Sequence, residues 1–380
     1  MKAIAAGWLL LTVGCGAAMP VAPSPDRGEP PELLYDIASE RAQGRDFEGA
    51  LAMLERLDAQ GWTFCPADRD MADLVKLPRY RALCARMKAR APRVARARVA
   101  LTLADQRLRP EGIAYDDAHD AIFMGSVARR KIIRITSDGE VHDFVPSGTG
   151  IYAVLGVRVD AAHGLLWAAS TARPSMEGYD PRDQGKAALL AFDLDSGAPR
   201  LALPLIDGGK HMLNDVAIAP DGTAYVTDTE TGAVWRHRAA DRGLVAVLAA
   251  GTLRAPNGIA CDGPRLLVAH ASGVTVVELA SGARTQLVVP AGSTLGGLDG
   301  LYVEGDVLLG VQNAFGSPRV VRAELDGGHT VARRIAVLES MHPALETVTT
   351  AALVRRDGRL LVLARGRASP PMILSMPIEP

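Results

Sequence analysis

A short motif recurs along the chain at a nearly constant spacing. Asn214, Asn257 and Asp299 each stand before Gly or Asp and a run of apolar residues, and they are about 43 residues apart. Internal periods in this range are typical of propellers and solenoids, in which each repeat folds as one unit. If each repeat is a blade, the three side chains occupy equivalent positions around one central channel.

A fourth copy of the motif lies earlier, where Glu111 stands between Pro and Gly. The four side chains would then converge at one mouth of the channel. Carboxylate and amide oxygens are the ligands that Ca²⁺ and Mg²⁺ prefer. The repeat therefore predicts a site for a divalent cation. The alternative is that these residues only form the turns that begin the blades.

Short alternating strands with Asp-Gly and Ser-Gly turns begin near Val99 and continue to the C-terminus. This pattern predicts a mainly β fold in which residues 99–380 form a six-bladed β-propeller, preceded by a small α-helical N-terminal module. Residues 99–103 come before blade one and are expected to complete blade six, which would close the ring. A long polar insertion in blade two, residues 171–186, is expected to shape a substrate mouth.

From about residue 105 onward the chain resembles the SMP-30/gluconolactonase/luciferin-regenerating-enzyme-like six-bladed propellers, which are related to the paraoxonases and diisopropyl-fluorophosphatase. The matching segments, in order, are residues 110–112, 213–229, 256–260 and 298–302. Each segment alone is a common turn, and the order and blade spacing of all four carry the resemblance. The helical N-terminal part lies outside it.

The resemblance implies roles for the repeated residues. Glu111, Asn257 and Asp299 match direct ligands of one divalent cation, with Ca²⁺ first and Mg²⁺, Mn²⁺ or Zn²⁺ as alternatives. Asn214 matches a residue that binds the metal in some relatives and the substrate or metal-bound water in others. Asp299 matches the general base or nucleophile, so we expect a metal-dependent hydrolase of a lactone or ester. His342 is a further catalytic candidate at the rim.

Three other residues are candidates for substrate binding. Arg158 points either into the channel or into a neighbouring blade, and in the channel it could hold a substrate carboxylate. Lys210 and His211 lie on the segment that leads to the same mouth, or they form an ordinary surface pair. Asp228 is interpreted as a structural turn residue, and residues 312–313 as part of a loop.

The N-terminus has the pattern of an export signal. One positive charge precedes an apolar stretch, and Cys15 follows a sequence that resembles a bacterial lipoprotein box, so Cys15 is predicted to carry a lipid. The alternative is an ordinary secretory signal that is cleaved after residues 16–18. Residues 1–18 are therefore predicted to be a signal peptide and residues 19–31 a Pro-rich tether. We expect an exported protein of the bacterial cell envelope, lipid-anchored and facing the periplasm, or secreted.

Residues 32–98 are predicted to form the helical module, since apolar residues recur there at helical spacing. Part of it resembles a tetratricopeptide-type hairpin. Either it binds a protein partner, or it is a cap that packs on the propeller.

Cys65 and Cys84 are close enough in sequence to form a disulfide in an oxidising compartment, and Cys261 is expected to be buried.

Composition excludes some classes of function. The net charge of −1 gives no reason to expect a nucleic-acid partner. Outside the N-terminus no apolar run is long enough to cross a membrane, so membrane contact is expected only through the lipid anchor.

Besides hydrolysis, two other functions stay open. One is a non-catalytic envelope propeller that binds a protein or small molecule through its rim and helices, and the other is a synthase-type enzyme.

Overall fold

The computed structural model describes residues 29–64, 71–148, 150–316, 318–340, 342–365 and 369–379. The predicted signal peptide, Cys15, most of the tether and Cys65 lie outside these residues. Cys84 is disulfide-bonded. In the described part of the chain, no helix has the length and apolarity needed to cross a bilayer.

Among the described residues of the N-terminal part there are three α-helices: α1 (Pro31–Gln43), α2 (Phe47–Ala59) and α3 (Pro78–Arg90). Proline stands at the first turn of α1 and α3, where the missing N–H costs nothing. Asp46 caps α2, because its side chain accepts a hydrogen bond of 3.0 Å from the backbone N–H of Gly49. A 3₁₀ turn, Ala72–Lys76, precedes α3.

The rest of the described chain forms six antiparallel four-stranded sheets, so the six-bladed β-propeller is confirmed. Blade one comprises β2 (Pro110–Asp116), β3 (Ala121–Ser126), β4 (Lys131–Ile135) and β5 (Val141–Val145). Blade two comprises β6 (Ala153–Asp160), β7 (Leu165–Thr171), β8 (Ala187–Asp193) and β9 (Pro199–Pro204). Blade three comprises β10 (Leu213–Ile218), β11 (Ala224–Asp228), β12 (Ala233–His237) and β13 (Val245–Leu248).

The second half repeats this plan. Blade four comprises β14 (Ile259–Asp262), β15 (Arg265–His270), β16 (Gly273–Glu278) and β17 (Arg284–Gln286). Blade five comprises β18 (Leu298–Glu304), β19 (Val307–Gln312), β20 (Arg319–Leu325) and β21 (Ala332–Glu339). Blade six comprises β22 (Thr347–Val354), β23 (Arg359–Arg365), β24 (Met372–Pro377) and, as its outer strand, β1 (Arg98–Thr102).

The ring closes through β1, as the sequence predicts. Arg98 pairs with Ser375 and Thr102 with Met372, so a strand from before blade one completes the last blade. The outer strands of blades two to five were harder to find in the sequence. The outer strand of blade two, β9, is largely exposed and that of blade four, β17, is exposed throughout, so apolar alternation is weak there.

The apolar core lies mainly between neighbouring blades. Phe123 of blade one, for example, belongs to the same buried cluster as Val154 and Leu166 of blade two. Each blade therefore buries its faces against its two neighbours, as expected for a repeat that cannot bury an apolar face alone.

The helices contact more than one loop of the propeller, and their apolar contact is with the loop that follows β19 in blade five. Phe315 of this loop is buried in the helical core, with ring centroids 4.9 Å from Tyr35 and 4.8 Å from Phe64. Glu32 also accepts a hydrogen bond from Thr294 at the start of blade five. This packing favours the interpretation of the module as a cap.

Candidate functional site

The first strand of each blade lines the central channel, and its entry residue is the position that the motif marks. In order around the ring these residues are Glu111, Leu155, Asn214, Asn257, Asp299 and Thr349. In five blades the pairing register of the first strand shifts at this position. A shift of this kind is a β-bulge, which re-aims side chains at the rim of a sheet.

Close contacts between successive inner strands bring the entry residues together. A Cβ on Gly112 would lie 2.2 Å from the carbonyl oxygen of Leu155, and a Cβ on Gly258 would lie 2.9 Å from that of Asp299. No larger side chain fits without moving the backbone, so glycine sets the narrow width of the ring. Thr349 closes the circle, because its hydroxyl donates a hydrogen bond of 2.9 Å to the carbonyl oxygen of Glu111.

Asp299 is the centre of this arrangement. Its two carboxylate oxygens accept hydrogen bonds from the side-chain amides of Asn257 and Asn313, one each. Asn313 also donates to the carbonyl oxygen of Val348, at 3.0 Å, and is thereby fixed to blade six. The carboxylate is thus held in one orientation by two blades.

Burial raises the pKa of Asp299 well above its usual range, and the nearby charge of Glu111 raises it further. The hydrogen bonds from Asn257 and Asn313 act in the opposite direction but are outweighed. Two carboxylates that repel each other at the mouth of a channel are a typical setting for a bound cation, which would remove the repulsion.

The residues present fit a hard divalent cation. Within the described residues no group of three histidine, cysteine, aspartate or glutamate side chains could hold a metal ion. Amide oxygens would therefore have to supply the ligands beyond Glu111 and Asp299, and the side chains of Asn257 and Asn313 are in place beside them. Such an all-oxygen donor set suits Ca²⁺, Mg²⁺ or Mn²⁺ better than Zn²⁺.

Asn214 enters the ring from blade three. Its side-chain amide donates a hydrogen bond of 3.0 Å to the hydroxyl of Thr229, which in turn donates to the carbonyl oxygen of Pro256. Asn214 therefore stands beside the segment that carries Asn257. Its predicted role as a ligand or catalytic residue stays a prediction.

Arg158 lies deeper in the channel, three residues beyond the ring. Its Nε donates a hydrogen bond of 2.8 Å to the carbonyl oxygen of Val216, and its guanidinium lies 4.9 Å from the ring centroid of Tyr302. It also lies 3.9 Å from the buried carboxylate of Asp215. Arg158 and Tyr302 line a cavity of about 160 Å³ formed by the inner strands of all six blades. Substrate binding by Arg158 stays a prediction.

Lys210 and His211 occupy different environments although they are neighbours in sequence. Lys210 is exposed, whereas His211 is buried between two carboxylates, each 2.7 Å from a ring nitrogen, Asp228 at Nδ1 and Asp207 at Nε2. Burial opposes the charged form, but the hydrogen bonds to Asp228 and Asp207 outweigh it, so the pKa of His211 is raised. Both nitrogens of His211 are thus engaged in structural contacts.

His342 stands at the N-terminus of a 3₁₀ turn, Pro343–Glu346, directly before blade six. Its Nδ1 accepts a hydrogen bond of 3.1 Å from the backbone N–H of Ala344. The side chain therefore caps this turn with one nitrogen, and Nε2 is not used by the cap. The predicted catalytic role is not tested by these contacts.

Asn313 is the site residue that sequence analysis missed. The sequence predicts a loop here, and Asn313 does follow the end of β19, but its side-chain amide donates a hydrogen bond to Asp299. Three arginines at the mouth were also missed: Arg109, Arg173 and Arg365. None of these residues belongs to the repeated motif, so no spacing in the sequence indicates that they meet.

The fold places the chain among the six-bladed β-propellers, here with a carboxylate and amide ring at one mouth of the channel. It is similar to a gluconolactonase from Xanthomonas campestris, with a TM-score of 0.54, 19% identity, and coverage of 76% of this chain and 97% of that chain. A calcium-binding regucalcin from Agrobacterium tumefaciens gives a TM-score of 0.54 at 17% identity, covering 75% of this chain and 95% of that chain.

The PQQ-bound form of an aldose sugar dehydrogenase from Streptomyces coelicolor gives a TM-score of 0.52 at 15% identity, covering 76% of this chain and 99% of that chain. No protein-family model matches the sequence, and no curated protein matches it significantly. The expected resemblance to gluconolactonase-like propellers is thus confirmed at the level of the fold, which proteins of different chemistry share.

Proposed function

We propose that the protein is a divalent-cation-dependent hydrolase of a lactone or ester. The observation that carries the proposal is the placement of Asp299 beside Glu111, with its carboxylate held by Asn257 and Asn313. A fold shared with a gluconolactonase and a regucalcin supports it.

Each residue has a distinct task in this proposal. Glu111 and Asp299 hold the cation together with the amide oxygens of Asn257 and Asn313. When bound, the cation polarises the carbonyl of the substrate and acidifies an attacking water. Asp299 accepts the proton of that water or attacks the carbonyl itself. Asn257 and Asn313 orient Asp299 for this role, which requires a fixed direction of approach.

The test measures cation binding and turnover in the same set of proteins. Wild type, Asp299→Asn and Glu111→Gln are compared with Asp195→Asn, which changes an exposed aspartate remote from the channel. Cation content is measured after dialysis against Ca²⁺, Mg²⁺, Mn²⁺ or Zn²⁺, and hydrolysis is followed on aldono-, acyl-homoserine and aromatic lactones and on aryl esters. We expect about one cation per chain in wild type and in the control. Both ring variants should lose cation binding and turnover.

A wild-type protein that binds no cation would refute the proposal. Cation binding without turnover on any substrate would leave the second function foreseen for this chain, a non-catalytic propeller that binds a partner.

The predicted signal peptide would determine the compartment in which either function takes place. If Cys15 carries a lipid, the site would face the periplasm from a membrane anchor, and labelling of the protein with a radioactive fatty acid would detect it.

A further inference from the structure

A cavity lies over the ring at the channel mouth, and we call it the mouth cavity. It has a volume of about 250 Å³, and Glu111 and Asn313 belong to its wall. Three arginines, Arg109, Arg173 and Arg365, also line it. Its size suits a small ligand, since pockets for drug-sized molecules have about 300–1,000 Å³.

The three arginines reach the mouth cavity from distant parts of the sequence. Arg109 directly precedes β2, Arg173 belongs to the long insertion of blade two, and Arg365 is the last residue of β23 in blade six. They do not form a charge run, and the chain as a whole has a net charge of −1. The positive charge is therefore gathered at this place by the fold.

None of these arginines has a side-chain hydrogen bond or ion-pair partner among the described residues of the chain. Arg129 on the same rim behaves differently, because it pairs with Asp105 and Glu177 at 3.3 and 2.9 Å. Arg173 and Arg365 are half-buried. Partial burial of a guanidinium without a partner is unfavourable, so a ligand that supplies negative charge would be bound favourably.

The backbone at Arg109 provides an independent observation. Its φ is +44°, in the left-handed region, and the next residue is Pro110. Residues with a Cβ rarely adopt this conformation, and a following proline restricts the backbone further. Strain of this kind is concentrated at ligand sites, where the surrounding structure enforces it.

We propose that the mouth cavity selects substrates that carry an anionic group, a carboxylate or a phosphate, beside the bond to be hydrolysed. Arg109, Arg173 and Arg365 recognise this anion. The inference rests on the proposed hydrolase function and names its substrate class. Guanidinium groups match the geometry of carboxylate and phosphate oxygens and bind them through paired hydrogen bonds.

Charge balance supports the same conclusion. A divalent cation at the ring would be neutralised by Glu111 and Asp299. No negative charge would then remain at the mouth to balance the three arginines. A neutral sugar lactone would not supply one. An anionic substrate supplies the missing charge within the same small volume. Its affinity should fall as salt is added, because the mouth opens to solvent.

The test compares two lactones of similar shape that differ in charge, γ-butyrolactone-γ-carboxylate and its neutral γ-carboxamide. The measured quantity is the ratio of their kcat/KM values, carboxylated over neutral. We expect a ratio of at least about ten in wild type, because the carboxylate would form charge-assisted hydrogen bonds with the arginines. Arg173→Gln and Arg365→Gln should each reduce the ratio about tenfold. Arg333→Gln, which changes an exposed arginine on β21, is the matched control and should keep it.

Binding is measured separately by calorimetry with succinate and with methyl phosphate. Both glutamine variants should bind these anions at least about fivefold more weakly than wild type, and the tighter of the two identifies the anion. Arg173→Lys and Arg365→Lys keep the charge and should recover part of the affinity, which excludes misfolding as the cause.

The outcomes separate the two proposals. Equal hydrolysis of both lactones would overturn the anion inference and leave the hydrolase proposal intact. Anion binding that depends on the arginines, without hydrolysis of any lactone, would support the anion site and refute the hydrolase. Failure of wild type to bind either anion, or equal binding by the glutamine variants, would overturn the anion inference.

Discussion

Phe315 lies two residues beyond Asn313, and this short loop connects the channel mouth to the N-terminal helices. Asn313 donates a hydrogen bond to Asp299, whereas Phe315 packs against Tyr35 and Phe64. Phe315 has a φ of +62°, which places its backbone in the left-handed region. The aromatic packing therefore holds a loop conformation that the backbone alone does not favour. We infer that the helices stabilise the position of Asn313 and, through it, that of Asp299.

Phe315→Ala should lower both stability and cation affinity. Loss of a buried phenyl ring from the helical core costs about 3–5 kcal/mol, and the loop is then free to move Asn313. Stability is measured by urea denaturation, and affinity by calorimetric titration with Ca²⁺. The matched control is Phe144→Ala, which removes a ring packed on Phe123 in blade one, away from the mouth. Equal cation affinities of the two variants would argue against a connection between the helices and the site.

Asn313→Asp should make stability strongly dependent on the cation. The new carboxylate faces Asp299, so two hydrogen bonds are lost and a like charge is added, at a cost of about 2–3 kcal/mol without metal. Thermal unfolding is measured with EDTA and with added CaCl₂. We expect a larger difference in Tm between these conditions than in Asn313→Ala, which loses the same hydrogen bonds without adding charge. A difference no larger than that of the alanine variant would contradict a cation beside Asp299.

Arg158→Met should destabilise the fold through Asp215. This carboxylate is buried, and burial raises its pKa while Arg158 opposes that effect. Removal of the arginine leaves the carboxylate without a positive neighbour in the channel, at a cost of about 3 kcal/mol. The double variant with Asp215→Asn should recover most of this loss, since no buried charge remains. Urea denaturation of both variants measures the effect, and additive losses would show that the two groups are not coupled.

His270 should make stability depend on pH. Burial lowers the pKa of His270 to about 4, and the charge of Arg254 acts in the same direction. The unfolded state, with a pKa of about 6.5, takes up a proton that the folded state does not, so stability falls as the pH is lowered from 6.5 to 4. This group alone accounts for about 3 kcal/mol over that range.

His270→Gln should flatten the dependence of the free energy of unfolding on pH between 4 and 6.5. The exposed His142 provides the control, as His142→Gln should keep the wild-type slope. Denaturant unfolding at a series of pH values measures both. An unchanged slope in His270→Gln would show that this histidine is not the group responsible.

The fold could be predicted from the sequence because each blade repeats the same local rules. Asp-Gly turns and apolar alternation mark the inner strands, which are buried, and the spacing of Asn214, Asn257 and Asp299 gives the blade period. Outer strands such as β9 and β17 lack this alternation because most of their side chains are exposed. For the site, the repeat marks the ring positions, and the structure brings Glu111, Asn257 and Asp299 to one mouth. The roles assigned to Asn214, His342 and Arg158 stay predictions.

The sequence by itself determined the β-propeller, its period and the residues that begin the blades, since turn formation and strand burial depend on residues close together in the chain. Only the tertiary structure decided which loop residues join them. Asn313 contacts Asp299, Phe315 enters the helical core, and Arg173 and Arg365 share one cavity although 192 positions separate them in the numbering. There are two physical reasons. Ring closure makes blades one and six neighbours although they are far apart in the sequence. A loop between two strands has no periodic pattern from which its contacts could be predicted.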